Sequence, residues 1–407
     1  MKTAIIRGGT PLIGEVAVSG SKNAALPIIF ATAVTRGVSR IHGVPHIGDI
    51  AVALDILRTL GASVSFIGGE LTVDCRALRY APVPKELTCS IRASTYLIGS
   101  MLSVFGKCEL SGFGGCGFSE RPVDMHIESA IRFGARPCAD GLVCDGLRGC
   151  DIHLRLPSVG ATVNSLLMAV SAEGESRIFG YAREPHVYAL VDFLRSAGAV
   201  IEEADGALAV MPRALHGGEV RVIGDMIEAG TYLAAGLITD GRVTLSGCPV
   251  ADMDAFLALL VRLGASVNIS GSTVSAEYSA APEPVDLVAE PYPGFPTDLQ
   301  PIAAVLLATR AGGTLTDTVF PRRFGYLSAL STFGVKSAPI HNGARIFPSA
   351  LRPALSHAPD LRGGAAATLL ALRADGESRV TDFGCVLRGY EYIDTKLRAL
   401  GAGISID

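Results

Sequence analysis

Ala53-Leu-Asp-Ile-Leu-Arg-Thr-Leu-Gly61-Ala62-Ser-Val is an apolar helical stretch that closes on Gly-Ala and runs into a short strand. The glycine stands where a helix C-terminus takes a left-handed residue. The same design recurs at Gly134-Ala135, Gly198-Ala199, Gly264-Ala265, Gly334-Val335 and Gly401-Ala402, and successive glycines lie 73, 64, 66, 70 and 67 residues apart. The strand that follows alternates with period two, as in Ala265-Ser-Val-Asn-Ile-Ser-Gly-Ser-Thr-Val. This period is longer than the roughly 20–50 residues of common solenoids. Six units suggest two similar domains of three units each.

An earlier helix in each unit ends at its own glycine turn, as in Thr35-Arg-Gly37-Val-Ser-Arg-Ile, Ala172-Glu-Gly174-Glu-Ser-Arg-Ile, Thr239-Asp-Gly241-Arg-Val and Ala374-Asp-Gly376-Glu-Ser. Gly106 and Gly312 fill the two remaining slots. Each unit therefore reads helix, strand, helix, strand, with a second strand before the next helix. The fold class is α/β (α+β).

Composition narrows the function. At 407 residues the chain is long enough for two to three domains. A net charge of -4 argues against a nucleic-acid protein, which would show a basic face. With 49% hydrophobic and 18% charged residues, disorder is excluded. Mean hydropathy is positive, yet no apolar run reaches the roughly 18 residues of a membrane span. The longest candidates, 302–309 and 165–171, have the length of buried helices. Met1-Lys2-Thr3-Ala4 opens no signal-peptide core, so a cytoplasmic protein is expected. Nine cysteines, an odd count with no C-x-x-C pair and no zinc-site spacing, point away from a disulfide framework or a metal centre. Their default reading is a small buried hydrophobe.

The first helices of the units begin at Gly20-Ser-Lys22-Asn23, Ile91-Arg92-Ala-Ser94, Pro157-Ser158-Val159-Gly160, Gly224-Asp225-Met226, Pro296-Thr-Asp298 and Asp360-Leu-Arg362. Capping explains the Ser, Thr and Asp residues. Lys22, Arg92 and Arg362 are cations where the helix dipole disfavours them, which suits an anion bound between the cation and the helix N–H groups. Phe113-Gly-Gly-Cys116-Gly-Phe-Ser-Glu-Arg121 sets a cysteine in a glycine loop near a cation. A structural cysteine and a low-pKa thiol both remain open there, and the loop with its cation leans toward the thiol.

These segments resemble the UDP-N-acetylglucosamine enolpyruvyl transferase (1-carboxyvinyltransferase) family, grouped with the shikimate-pathway enolpyruvyl transferases. The resemblance is carried by Gly20-Ser-Lys-Asn-Ala-Ala-Leu-Pro27, Arg92-Ala-Ser94, Gly114-Gly-Cys116, Arg121-Pro-Val-Asp124, Pro157-Ser-Val-Gly-Ala-Thr162, Ala182-Arg-Glu-Pro185, Ile227-Glu-Ala-Gly-Thr231, Pro291-Tyr-Pro-Gly-Phe-Pro-Thr-Asp-Leu-Gln300, Asp360-Leu-Arg362 and Lys396-Leu-Arg-Ala-Leu-Gly-Ala402. They run in family order along essentially the whole chain. The resemblance implies an inside-out α/β barrel fold of two domains, 22–223 and 1–21 plus 224–407, with the active site between them.

It also implies transfer of the enolpyruvyl group of phosphoenolpyruvate to a hydroxyl of a uridine nucleotide, with loss of phosphate. Lys22, Arg92, Arg121 and Arg398 match the family's cations, Cys116 the loop acid, and Asp298 the general base. Asp360 matches a third polar group at the reacting centre. The uridine is expected along Arg121-Pro122-Val123-Asp124-Met125, the phosphates at Ser158, Val159 and Gly160, and Val319 is a further expected substrate contact. Asn23 is expected to contact the sugar. Cofactor and metal are not expected. Nor is a nucleic-acid or membrane partner, and a monomer or weak homo-oligomer is.

The pattern breaks in places. Asp225-Met226 stands where the family has Asp-Arg, and Val319-Phe-Pro-Arg-Arg323-Phe324 where it has Val-Phe-Glu-Asn-Arg-Phe. Cys385-Val-Leu387 replaces His-Ile-Asp before Arg388-Gly-Tyr390, and Phe113 replaces a proline. These changes lie mostly in the second domain, which in the family faces the acceptor sugar. The acceptor is expected to be UDP-N-acetylglucosamine, in peptidoglycan precursor synthesis. The alternative is UMP or a related nucleotide in nucleoside-antibiotic assembly. A non-catalytic nucleotide-binding paralogue is the remaining class. Retention of Lys22, Cys116, Asp298 and Arg398 argues against it, since a binder has no need of an acid and a base.

Overall fold

The computed structural model describes residues 2–109, 112–114 and 122–407. The described chain forms two units, one of residues 20–114 with 122–223, the other of 2–19 with 224–407.

In the first unit the helices are α1 (Lys22–Thr35), α2 (Gly48–Thr59), α3 (Leu97–Phe105), α4 (Asp124–Arg132), α5 (Val159–Ala169) and α6 (Pro185–Ser196). Every residue of α1 from Ala24 to Thr35 is buried, and so is α5 from Ala161 to Ala169. Helices apolar all round belong in the middle of a core. By contrast, α2 buries one stripe, Ile50, Ala53, Leu54 and Leu57, at helical spacing.

The strand after each central helix is flanked by a hairpin that folds back on it. Val38–His42 pairs antiparallel with Glu70–Asp74, which pairs with Ser63–Ile67. Ser176–Phe179 likewise pairs with Ala207–Met211, which pairs with Val200–Ala204. On its other edge Ser176–Phe179 takes Asp151–His153 in parallel, a strand–helix–strand crossover through α5. A three-stranded sheet of Lys107–Glu109, Gly141–Val143 and Arg136–Cys138 completes the unit.

The second unit repeats the plan with α7 (Met226–Ile238), α8 (Asp254–Arg262), α9 (Gln300–Thr309), α10 (Leu327–Thr332), α11 (Leu361–Arg373) and α12 (Ile393–Ala399). Three four-stranded sheets surround α7, α9 and α11 in sequence order. The chain start belongs to this unit. Ala4–Gly8 pairs antiparallel with Gly376–Thr381 and Gly403–Ile406, and Ile13–Ala17 lies parallel to Arg242–Ser246. Glu219–Arg221, just before α7, instead completes the first unit's sheet beside Val38–His42. The two units thus exchange the strands that precede their first helices.

Each unit has its own apolar core, one built on Ile28, Phe30, Leu167 and Phe193, the other on Tyr232, Phe256, Leu306 and Leu370. The six helix-ending glycines all sit in the left-handed region, with φ of 91°, 101°, 100°, 86°, 97° and 99° from Gly61 to Gly401. That conformation lets each chain reverse from a peripheral helix into its hairpin. Among the described residues no helix is long and apolar enough to cross a membrane. The cysteines divide: Cys75, Cys108, Cys144 and Cys248 are buried, Cys150 and Cys385 half-buried, and Cys89 and Cys138 exposed. Burial pushes the Cys75 thiol up to about 11 and Cys108 to about 12, which keeps both protonated and inert.

Candidate active site

Most of the candidate side chains stand at or near helix starts. In the second unit the centre is Asp298, in a single 3-10 turn (Thr297–Leu299) that leads into α9. Its Oδ1 accepts from Arg323 Nη1 at 2.7 Å, and its Oδ2 from Arg362 Nη2 at 3.0 Å and Nε at 3.2 Å. Both arginine side chains are only 3% exposed, whereas that of Asp298 is 26% exposed. Two buried guanidiniums converge on one partly open carboxylate.

Secondary structure explains how these groups meet. Asp360 caps α11, and its Oδ1 accepts the Arg362 and Gly363 N–H groups at 2.9 Å each. That fixes the backbone from which Arg362 reaches Asp298. The Arg362 guanidinium also lies over the Tyr390 ring, 5.4 Å from its centroid, and Tyr390 Oη is 2.9 Å from Thr231 Oγ1. Burial alone would lower the Arg362 pKa, but the charges of Asp298 and its neighbours outweigh it and raise it, so the guanidinium stays charged. Asp317, fully buried, accepts Thr297 Oγ1 at 2.6 Å and the N–H groups of Val319 and Phe320 at 2.9 and 2.7 Å. It ties the Val319 turn to the turn that carries Asp298.

A second buried group lies in the same unit. Glu228 on α7 accepts from Lys396 Nζ at 2.8 Å and from Ser19 N at 2.6 Å, and Lys396 Nζ also meets Ser19 Oγ at 2.6 Å. Burial pushes the Glu228 pKa up, and Lys396 opposes that shift. Arg398 is not brought to the Asp298 group. It is exposed on α12, where it pairs with Asp394 at 2.8 Å one turn back and donates to the Ile404 carbonyl at 3.2 Å.

In the first unit Lys22 opens α1, and its Nζ lies 3.2 Å from Asp49 Oδ2 of α2, with side chains 14% and 5% exposed. Asn23 follows it, half-buried, and Arg92 lies in the 3-10 turn before α3, also half-buried. Pro122 and Val123 precede α4, which opens on Asp124 and Met125. Asp124 Oδ1 accepts the Met125 N–H at 2.9 Å, and its other oxygen pairs with Arg155. Ser158 caps α5, its Oγ accepting the Ala161 N–H at 3.4 Å, and Val159 and Gly160 follow it half-buried. Cys116 and Arg121 lie outside the described residues.

Arg362 is a cation at a helix start whose partner, Asp298, the sequence alone does not show. Arg323 sits in a turn whose neighbours break the family pattern. Glu228 and Lys396 stand in motifs, 227–231 and 396–402, that by themselves assign them no role. Near α5, His126 and Asn164 form a buried pair that no spacing announced.

Comparison with known proteins places the chain in one family. The sequence profile of the EPSP synthase (3-phosphoshikimate 1-carboxyvinyltransferase) family matches residues 6–397. The chain is 37% identical to UDP-N-acetylglucosamine 1-carboxyvinyltransferase 3 of Caldanaerobacter subterraneus, covering 99% of both proteins. It is 39% identical to UDP-N-acetylglucosamine 1-carboxyvinyltransferase 1 of Symbiobacterium thermophilum, covering 98% of this chain and 94% of that one. Among solved structures it is similar to the enolpyruvyl transferase NikO from Streptomyces tendae, with a TM-score of 0.91, 29% identity, and coverage of 100% and 99%.

Proposed function

Because this chain belongs to the EPSP synthase family of enolpyruvyl (1-carboxyvinyl) transferases, we propose that it transfers the enolpyruvyl group of phosphoenolpyruvate to a hydroxyl of UDP-N-acetylglucosamine. The product would be a peptidoglycan precursor made in the cytoplasm. The observation that carries the reading is Asp298, a partly exposed carboxylate on two buried guanidiniums.

The chemistry needs a base near the acceptor hydroxyl, an acid near the vinyl carbon, and cations for a substrate with two anionic groups. Asp298 takes the hydroxyl proton as the oxygen bonds to C2 of phosphoenolpyruvate. An acid adds a proton to C3, which gives a tetrahedral intermediate. Loss of a C3 proton and cleavage of the C2–O bond to phosphate restore the double bond in the new ether. Cys116 is the proposed acid. Arg362 and Arg323 hold Asp298 until an anionic substrate shares their N–H groups, which leaves a carboxylate oxygen for the hydroxyl. Asp360 positions Arg362 and stays the third polar group at the centre. Lys22, Arg92 and Arg121 are proposed for the substrate anions. Asn23 would contact the sugar and Pro122 to Met125 the uridine, with Val319 a further substrate contact.

One observation favours UMP or a related nucleotide as acceptor instead. Met226, at the start of α7, puts a thioether where the resemblance leads one to expect a cation. It lines a shallow hollow with Ala251, Phe256, Tyr292 and Leu299. Purified protein given phosphoenolpyruvate with either acceptor separates the readings. Phosphate release with UDP-N-acetylglucosamine is expected. Release with UMP alone would overturn that acceptor, and release with neither would sink the catalytic reading.

A further inference from the structure

Asn164 on α5 is fully buried, and two backbone groups fix which way its amide points. Oδ1 accepts the Gly99 N–H at 2.6 Å, and Nδ2 donates to the Thr95 carbonyl at 3.0 Å. Exchanging oxygen and nitrogen would set N–H against N–H and carbonyl against carbonyl. Nδ2 also lies 2.7 Å from His126 Nδ1. Nδ1 is therefore the acceptor of that bond, and the proton of a neutral His126 sits on Nε2. The ring is 4% exposed. Burial, then the Arg92 charge, lowers its pKa to about 4 against the opposing pull of Asp124.

The Cε1–Nε2 edge of the ring lies against the start of α5. A Cβ on Gly160 would lie 2.7 Å from His126 Cε1 and 3.1 Å from Nε2, so glycine there lets the ring lie against the first helical turn. Nε2 makes no hydrogen bond among the described residues. First-turn N–H groups have no intrahelical acceptor, and the helix dipole favours an anion beside them. A preset, buried N–H donor therefore lies beside a half-exposed helix start.

We infer that His126 is a further binding residue for the acceptor: its Nε2–H donates to a phosphate oxygen of a nucleotide seated at the first turn of α5. The inference rests on the uridine-nucleotide reading above. Asn164 acts through His126 as a positioning residue, since its amide sets the tautomer.

The test combines histidine-selective 15N NMR with calorimetry on the full chain. The His126 signals are identified by their loss in His126→Gln. They should report the Nε2–H tautomer at pH 7. The Nε2–H signal should move with pyrophosphate, UMP or UDP-N-acetylglucosamine and stay in place with uridine. His126→Gln, whose amide nitrogen can reach the Nε2 position, should keep nucleotide affinity within about threefold, while His126→Ala should lose at least about tenfold. An Nδ1–H tautomer would overturn the inference. So would a signal unmoved by pyrophosphate and by any nucleotide that calorimetry shows to bind. Equal loss of uridine and nucleotide affinity in His126→Ala would mark a merely structural role and also overturn it. Wild type that binds pyrophosphate but no uridine nucleotide would instead bring down the proposed function.

Discussion

Asp298 meets its two arginines by different routes, and that difference sets what each substitution does. Arg362 arrives from a capped helix start and contacts Asp298 through two nitrogens, Arg323 from a turn through one. Arg362→Lys keeps the charge and loses the fork. It is expected to lower kcat/KM by about 10²–10³-fold, read from steady-state phosphate release with a melting curve as control. A melting point that collapses along with activity would show that the pair serves stability alone. The His126 pKa makes a separate prediction. Its folded value, about 4, lies below the ordinary 6.5, so the unfolded chain takes up the proton first as pH falls. The stability tied to neutral His126 is complete above pH 6.5 and is lost toward pH 4, by about 2 kcal/mol between pH 7 and 5. Urea unfolding at the two pH values should show wild type losing that much more than His126→Gln. At this scale the sequence shows Asp298 and Asp360 through their motifs. It does not show that Lys396, rather than Arg398, turns inward, because helical phase depends on which face of α12 is buried, here that of Ile393 and Leu397. Nor does it show Asn164 beside His126, residues 38 apart that meet only once α4 and α5 pack.

Elements were the most legible level, because each repeat ends on a glycine with a physical reason to be there. Those glycines differ in surroundings, and this can be measured. Gly401 has φ +99° and nothing near a built Cβ, so Gly401→Ala adds only left-handed backbone strain, about 1 kcal/mol. Gly264 has φ +86° and would set a Cβ 2.3 Å from the Ala280 carbonyl oxygen. Gly264→Ala is expected to cost about 3 kcal/mol or more, since strain and overlap add. Denaturant midpoints should rank the two variants in that order, and equal midpoints would contradict it. The alternation pattern does not carry the exchange of Ile13–Ala17 and Glu219–Arg221, and only the resemblance implies that 1–21 goes with 224–407. Alternation marks a residue run as a strand but does not name its partner, and here Gly14 pairs with Val243 and Val220 with Ile41.

For the whole molecule, the high apolar fraction is accounted for by two cores with central helices buried on every side. Two of the charges, Arg362 at a helix start and Arg323 in a turn, are nearly inaccessible. Buried cations held to one carboxylate suit a reaction that must accept a doubly anionic substrate and take a proton beside it. The central claim is addition followed by elimination at the enolpyruvyl carbon. Its most direct test is product analysis after incubation with phosphoenolpyruvate and UDP-N-acetylglucosamine in deuterated water. The account predicts one phosphate released per enolpyruvyl ether formed, with deuterium in the vinyl methylene of that ether. Phosphate released without an ether, or an ether whose methylene carries no deuterium, would contradict it.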